Sequence, residues 1–193
     1  MASAVSDRLR EATAVIHQRL EACIPLTAIS TQPTAYRQLL QAYWGFYAPF
    51  EAALQPHVES FGDLQWQRRI KHTLLAADLA GLGVTATDLA GLPQCQNLPA
   101  VTDVPIALGT MYVLEGATLG GRQILGMQSD RLAARGASRF LTGYGTATGR
   151  MWRQFLNCLE RCAPRDEQQD AVDAAVATFL AFETWLGEQG VLS

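Results

Sequence analysis

The stretch Met111-Tyr-Val-Leu-Glu-Gly-Ala-Thr-Leu-Gly-Gly-Arg-Gln-Ile124 is the most informative segment of this chain. Its apolar residues and its lack of turn-forming pairs predict a helix. Yet Gly116, Gly120 and Gly121 lie inside it, and each costs about 1 kcal/mol relative to alanine in a helix interior. Another interaction of this helix must therefore compensate for its glycines.

The glycines of this helix share one face. Gly116 and Gly120 are four residues apart, and Gly109 lies seven residues before Gly116. Small residues at this spacing allow a second helix to pack closely. Alternatively, a flat, bulky ligand lies against the bare backbone, and the weakened helix flexes to admit it. Both interpretations stay open at this point, and a ligand would need an anchor on its other side.

The rest of the chain also shows helical periodicity, with no alternating segment typical of a strand. We predict about seven helices in one all-α domain over residues 1–193. Ser6 is the predicted N-cap of the first helix, and Pro49 should bend or end the second. The second predicted helix begins near Pro33 or Thr34. The other main helices are predicted from Ser6 to Pro25, from about Asp63 to Gly81, from Pro105 to about Leu125, from about Thr146 to Cys162 and from about Asp166 to Leu186. A long connection over 84–103 and a turn region over 131–145 join them.

Composition limits the function classes. The 193 residues carry 15 Lys and Arg against 18 Asp and Glu, a formal net charge of −3. A chain of this length buries about 70% of its unfolded surface, so an internal ligand pocket is within reach. The charge gives no positive field that would attract nucleic acid or an anionic membrane. We find no signal segment and no apolar run of about 18 residues, and therefore expect a cytoplasmic protein.

Neither the cysteines nor the arginines by themselves require a functional role. The four cysteines form no C-x-x-C pair, and Cys158 and Cys162, one helical turn apart, are predicted to be core thiols rather than a redox pair. Eight arginines lie between Arg122 and Arg165, followed by six acids and no base from Asp166 onward. They form either two solvated faces or a surface that meets an anionic ligand or protein.

His17 is a candidate anchor for a ligand. It lies between Thr13 and Leu20 on the inward side of the first predicted helix, and Glu21 follows one turn later. A histidine oriented by a carboxylate is a common metal ligand. A buried histidine that is hydrogen-bonded to Glu21 without a metal is the alternative that spacing alone favours. The other two histidines, at positions 57 and 72, occur in polar contexts typical of a surface.

Several segments resemble the heme oxygenase family. The run from Leu9 to Glu21 is similar to the proximal helix of that family, and the run from Tyr112 to Arg122 resembles the distal helix of its bacterial branch. The segments 151–160 and 177–183 are similar in order and spacing to its last helices. The resemblance spans nearly the whole chain and is weakest in the middle third.

The resemblance implies a fold that holds heme, as substrate and cofactor together, between a proximal helix and a distal helix that contains glycines. His17 would bind the iron, and Glu21 would hold the ring N–H of His17. Gly116 and Gly120 would approach the bound oxygen. The remaining residues implied at the heme are Gly121 beside these glycines, and Arg10, Tyr112 and Arg153 at the propionates.

The activity implied is oxidation of heme with O2 to biliverdin, CO and ferrous iron. The chain has no G-x-G-x-x-G motif within a βαβ unit, so a ferredoxin or flavoprotein reductase would supply the electrons. Supply of biliverdin to a bacterial phytochrome and recovery of iron are both compatible with this branch. We expect a monomer, because neither a heptad repeat nor a large exposed apolar stripe occurs.

One departure from the family concerns Ala117. Animal-type members have an aspartate directly after the first distal glycine, where it organises the water that protonates bound oxygen. The resemblance is to a branch that generally lacks this acid, with Thr118 and Lys71 as weak candidates for ordering water. A basic residue one turn before Arg153 is also replaced, by Gly149, although Arg150 is adjacent. The alternative function is therefore a noncatalytic heme-binding or heme-delivery protein.

Overall fold

The computed structural model describes residues 4–134, 136–164 and 167–193, and the side chains of residues 120–134 lie outside that description. The described residues form nine α-helices and no β-strand, which confirms the predicted all-α fold. Short 3₁₀ turns cover Gly62–Leu64, Trp66–Arg68 and Gly145–Ala147. The helices are α1 (Val5–Cys23), α2 (Leu26–Thr31), α3 (Pro33–Val58), α4 (His72–Gly81), α5 (Ala86–Ala90), α6 (Val104–Ala134), α7 (Arg139–Thr142), α8 (Thr148–Cys162) and α9 (Gln168–Glu188).

The last helix, α9, is central to the packing, because both α6 and α1 pack against it. Aromatic rings join it to α3. The Phe182 ring lies 4.7 Å from that of Phe46 and 5.1 Å from that of Tyr43, measured between centroids. The Trp185 indole N–H also donates a hydrogen bond to the Ala42 carbonyl at 2.7 Å. These buried contacts fix the frame on which α1 and α6 are placed.

The crossing of α6 and α9 explains Gly109, the first glycine of the shared helix face. A Cβ atom at Gly109 would lie 2.7 Å from the carbonyl carbon of Ala171, closer than real Cβ contacts occur. Only glycine allows the two backbones to approach this closely. At Gly109, therefore, the close-packing interpretation is confirmed.

Pro49 does not end α3, which continues to Val58. Proline has no N–H to give to the carbonyl four residues earlier, and here that carbonyl belongs to Gly45. The backbone N–H of Cys95 donates to it instead, at 2.9 Å. The expectation of a helix end was wrong because a distant part of the chain satisfies the carbonyl that Pro49 leaves free.

The start of α1 also depends on a distant residue. The helix begins at Val5 with Ala4 in the cap position, so the prediction of Ser6 as N-cap was wrong. The Ser6 N–H and hydroxyl donate to the Glu160 carboxylate on α8, at 3.0 and 2.7 Å. Because the first N–H groups of a helix have no partner within it, Glu160 performs the capping role from another helix.

Other predicted boundaries were partly correct. The third predicted helix ends at Gly81, as expected, but α4 begins only at His72, because the left-handed conformation of Gln65 (φ 54°) interrupts the preceding segment. α5 supplies a short helix in the long connection. α6 extends beyond the predicted end at Leu125, so the predicted turn region over 131–145 overlaps α6 and α7.

The cysteines and the hydropathy agree with expectation where the structure describes them. The Cys158 and Cys162 sulfurs are 3.9 Å apart and form no disulfide; the first residue is buried and the second half-buried. No helix within the described residues is long and apolar enough to cross a membrane.

The Gly109 contact predicts a loss of stability in Gly109→Ala. The new methyl group overlaps the Ala171 backbone, so we expect the free energy of unfolding to fall by about 1–3 kcal/mol. Gly187→Ala is the matched control, because Gly187 lies in α9 and its Cβ position has no atom within 4 Å. There we expect no loss, or a gain of up to about 1 kcal/mol. Urea unfolding of the ligand-free protein measures both; equal values for the two variants would contradict close packing.

Candidate functional site

A cavity of about 520 Å³ lies between α1 and α6. Both helices pack against α9 and both contribute residues to the cavity wall. Its volume falls within the range of about 300–1,000 Å³ typical of small-molecule sites. The lining residues are Arg10, Thr13, Ala14, His17, Gln18, Leu20, Glu21, Ile24, Leu26, Tyr43, Tyr47, Tyr112, Val113, Leu114, Gly116, Ala117, Leu119, Phe140, Leu141, Trp152, Phe179 and Phe182.

His17 lines the α1 side of the cavity. Its side chain is 52% exposed, so the interpretation as a buried, purely structural histidine was wrong. The ring Nε2 is 3.5 Å from a Glu21 carboxylate oxygen, and the ring meets Phe179 edge-on, with centroids 5.7 Å apart. The imidazole therefore has a carboxylate and an aromatic ring beside it and a face open to the cavity.

Gly116 lines the α6 side, and its surroundings differ from those of Gly109. A Cβ atom at Gly116 would have no atom within 4 Å outside its own stretch of helix. Gly109 thus permits close helix packing, whereas Gly116 leaves the backbone of α6 exposed to the cavity. Gly120 and Gly121, which we also predicted at the site, belong to the stretch 120–134 of α6, whose side chains and surroundings lie outside the description. Ala117 follows Gly116 in the wall.

Arg10 and Tyr112 line the cavity as well. The Arg10 side chain is largely exposed and its guanidinium is 3.2 Å from the Asp7 carboxylate. Tyr112 is half-buried, with its ring 5.5 Å from that of Trp152. Burial raises the pKa of the Tyr112 phenol, and the neighbouring Thr13 and Arg10 oppose that rise. Polar groups that could meet an anionic part of a ligand therefore occur at this part of the wall.

The structure does not bring Arg153 to the cavity. Arg153 is exposed on α8, and its guanidinium lies 3.7 Å from the position of a Cβ atom at Gly149. The preceding residue, Trp152, lines the cavity instead. Adjacent residues of a helix point about 100° apart, so the sequence match identified the correct segment of α8 but not the side chain that reaches the site.

The acidic and basic side chains of the described wall all belong to α1: they are Arg10, His17 and Glu21. The described part of the α6 wall carries no carboxylate, consistent with alanine at position 117. Thr118 and Lys71, the weak candidates for ordering water, do not line the cavity. Both are buried, and both contact Glu115.

A buried ionic cluster surrounds Glu115, the residue before Gly116, and sequence reasoning missed it. The Glu115 carboxylate accepts hydrogen bonds from Arg69 Nη1 at 2.6 Å and Lys71 Nζ at 3.0 Å. The Tyr144 hydroxyl donates to the same carboxylate at 2.7 Å. The side chains of Arg69, Lys71 and Glu115 are 0%, 1% and 4% exposed. The available signal was the single charged residue, Glu115, in the otherwise uncharged run Met111–Leu119.

A second carboxylate, that of Glu51, extends the cluster. It accepts hydrogen bonds from the backbone N–H groups of Lys71 and His72, at 2.6 and 3.1 Å. The His72 Nδ1 lies 2.5 Å from the same carboxylate, so His72, predicted as a surface residue and 37% exposed, also has a buried partner. The hydrogen bond with Glu51 raises the pKa of His72, while partial burial opposes the rise.

Most arginines of the basic stretch 122–165 cannot be assigned to a ligand. Arg139 and Arg161 contact Asp78 and Asp63 of this same chain. Arg150 and Arg153 are exposed. Of the remaining four, Arg135 and Arg165 lie outside the described residues, as do the side chains of Arg122 and Arg131.

The fold and the site define an all-helical protein with a largely apolar cavity between two helices, one presenting a histidine and the other a bare glycine backbone. The sequence model of the heme oxygenase family matches residues 3–188, and the chain belongs to that family. It is similar to a protein named heme oxygenase from Xanthomonas campestris pv. campestris (strain 8004). The identity is 28% over 155 residues, which cover 80% of this chain and 90% of that protein. The predicted family is thus confirmed, and membership supports binding and degradation of heme.

The His72–Glu51 contact predicts a pH-dependent stability. Because folding raises the pKa of His72, the protonated ring stabilises the fold. This contribution is complete below the unfolded pKa, about 6.5, and is lost as the pH rises through the folded value. His72→Gln should therefore lose more stability at about pH 6 than at about pH 9, measured by urea unfolding. His57→Gln is the control; a His72 effect that is constant or grows with pH would contradict this assignment.

Proposed function

We propose that this protein is a heme oxygenase that opens heme with O2 and external electrons to form biliverdin, CO and ferrous iron. The observation that carries the proposal is the presence of His17 and the open backbone of Gly116 in one cavity. The family assignment supports the reaction class, and the residues of the wall support the roles described below.

The cavity fits the chemistry of heme. A porphyrin is flat and apolar, carries two carboxylates and holds an iron that accepts an imidazole ligand. The wall is mostly aliphatic and aromatic, with rings from Tyr43, Phe140 and Phe182 among others. His17 offers the imidazole, and Arg10 and Tyr112 offer a cation and a phenol to carboxylates. Heme, when bound, would supply the iron that activates O2 and the ring that is oxidised.

His17 would hold the iron through one ring nitrogen while Glu21 orients the other. A carboxylate that accepts the N–H of one ring nitrogen orients the imidazole and leaves the other nitrogen to bind a metal, and Glu21, 3.5 Å from Nε2, is placed to make that contact. The His17 side chain is already at the cavity wall and half exposed, so binding requires no unfolding of α1. Phe179 limits its rotation from the side.

Gly116 would leave room above the opposite face of the ring. A side chain there would occupy the space that its missing Cβ leaves open, so backbone rather than side-chain atoms would confront O2. The Ala117 methyl group adds no acid, and protons would then reach the site through ordered water. Tyr47, which lines the cavity, donates its own hydroxyl proton to the Leu114 carbonyl at 3.2 Å.

Electrons would come from a ferredoxin or a flavoprotein reductase, since the sequence contains no nucleotide-binding motif of its own. The product would serve as a chromophore, for example in a bacterial phytochrome, or the released iron would be recovered.

A noncatalytic heme-binding protein is the second candidate function. Ala117 favours it, because the described distal wall offers no acid that could deliver a proton. Both candidate functions require the same cavity and the same ligand, so a test must measure whether the porphyrin ring of bound heme is opened.

An absorption time course distinguishes the two. Purified protein receives equimolar hemin and then ferredoxin, its reductase and NADPH in air, with catalase present to remove free peroxide. The proposal predicts loss of the Soret band and growth of the broad red absorption of biliverdin. A Soret band that persists through reduction in air would contradict the oxygenase and favour the heme binder.

The assignment of His17 predicts the behaviour of His17→Ala. Removal of the imidazole should lower the rate of ring opening by at least about 10-fold, because the iron loses its protein ligand. Free imidazole added to the variant should restore part of that rate. His57→Ala, which removes a histidine of α3 outside the cavity, serves as the control. Undiminished turnover by His17→Ala without imidazole would show that another group holds the iron.

A further inference from the structure

The buried ionic cluster adjoins the distal glycine. Glu115 immediately precedes Gly116 on α6, and its carboxylate contacts Arg69, Lys71 and Tyr144 together. The side chain is 4% exposed, so these contacts take the place of water. The cluster is therefore the main polar attachment of this turn of α6 to the rest of the protein.

The partners of Glu115 connect it to several segments of the chain. Arg69 also donates to the carbonyls of Leu64 and Met151, at 2.5 and 3.0 Å, and so connects the carboxylate to the segment before α4 and to α8. Lys71 donates to Tyr144 at 2.5 Å and to the Arg69 carbonyl at 2.8 Å. The α6 turn is thus held from several directions through one side chain.

Backbone groups of the same turn are held as well. The Leu114 carbonyl accepts the Tyr47 hydroxyl, and the Glu115 carbonyl accepts the Thr118 hydroxyl at 2.6 Å. Gly116 itself makes no side-chain contact and weakens the helix by its backbone freedom. If α6 is to hold the bare backbone of Gly116 at a fixed distance from the cavity, neighbouring residues must keep this turn in place.

The negative charge of Glu115 is needed to stabilise the buried cations that contact it. Buried cations are stable only when they are paired and hydrogen-bonded. Arg69 and Lys71 share Glu115, and Glu51 contacts the backbone of Lys71 and the side chain of His72. Loss of the Glu115 charge would leave two buried cations with one nearby carboxylate, which would favour displacement of the turn.

We propose that Glu115 is a positioning residue for the distal glycine: its buried contacts with Arg69, Lys71 and Tyr144 fix the turn of α6 that carries Gly116 over the cavity. This inference rests on the proposed function and adds a residue that lies outside the cavity wall. A displacement of about 1 Å at a reacting centre can lower a rate about 100-fold, so the effect on turnover should exceed the effect on binding.

The test compares Glu115→Gln with Glu59→Gln, an equivalent substitution at an exposed glutamate just after α3. In Glu115→Gln we expect hemin affinity within about threefold of wild type, because His17 and the cavity wall remain, but ring opening slower by at least about 10-fold. In the ligand-free protein we expect faster amide hydrogen exchange over residues 111–119 and unchanged exchange in α1 and α3. Glu59→Gln should match wild type in all three measurements.

Tyr144→Phe keeps the test decisive if Glu115→Gln does not fold. This substitution removes one hydrogen-bond donor to Glu115 and leaves every charge in place. We therefore expect a smaller decrease in the rate of ring opening and a smaller increase in amide exchange over residues 111–119. Wild-type exchange and turnover in both Glu115→Gln and Tyr144→Phe would overturn the proposal. So would a parallel loss of affinity, turnover and exchange protection throughout the chain, which indicates general structural damage.

Failure of the proposed function gives a different result. In that case wild-type protein itself does not open heme, while the exchange of residues 111–119 in the ligand-free variants still decides whether Glu115 fixes this turn. Unchanged exchange there would overturn the positioning role whatever the reaction.

Discussion

The contact of one buried carboxylate with two buried cations holds the part of α6 on which the site depends. Gly116 gives the cavity a bare backbone, but a glycine has no side chain with which to anchor itself. The fixed points are supplied by its neighbours: Gly109, packed against Ala171 of α9, and Glu115, bonded to Arg69 and Lys71. Close packing at Gly109 and the ionic cluster at Glu115 thus hold this part of α6 on either side of the buried apolar residues Met111 and Leu114.

The same pattern of glycines therefore serves two purposes. At the crossing of α6 and α9 the absence of a Cβ atom brings two helices together, and two turns later it keeps a space open. From sequence these are equivalent, because the helical period places Gly109 and Gly116 on one face. What distinguishes them is the position of α9, which the chain reaches only some 60 residues later.

Much of the fold follows from local patterns: the all-α class, the N-terminal region of α6 and the end of α4 are readable from periodicity and turn residues. The errors concern long-range partners. The Cys95 N–H satisfies the carbonyl that Pro49 frees, and Glu160 caps α1 through Ser6. In the site, the placement of His17 and Gly116 at one cavity agrees with the sequence interpretation. The exposure of Arg153 and the Glu115 cluster depend on side-chain direction and tertiary burial, which spacing does not encode.

A crystal structure of the complex with hemin would measure where the iron lies relative to α1 and α6. We expect a ring nitrogen of His17 within coordination distance of the iron, and the backbone of Gly116 over the opposite face of the porphyrin. Iron bound by a different residue, or heme seated outside the cavity between α1 and α6, would contradict this expectation.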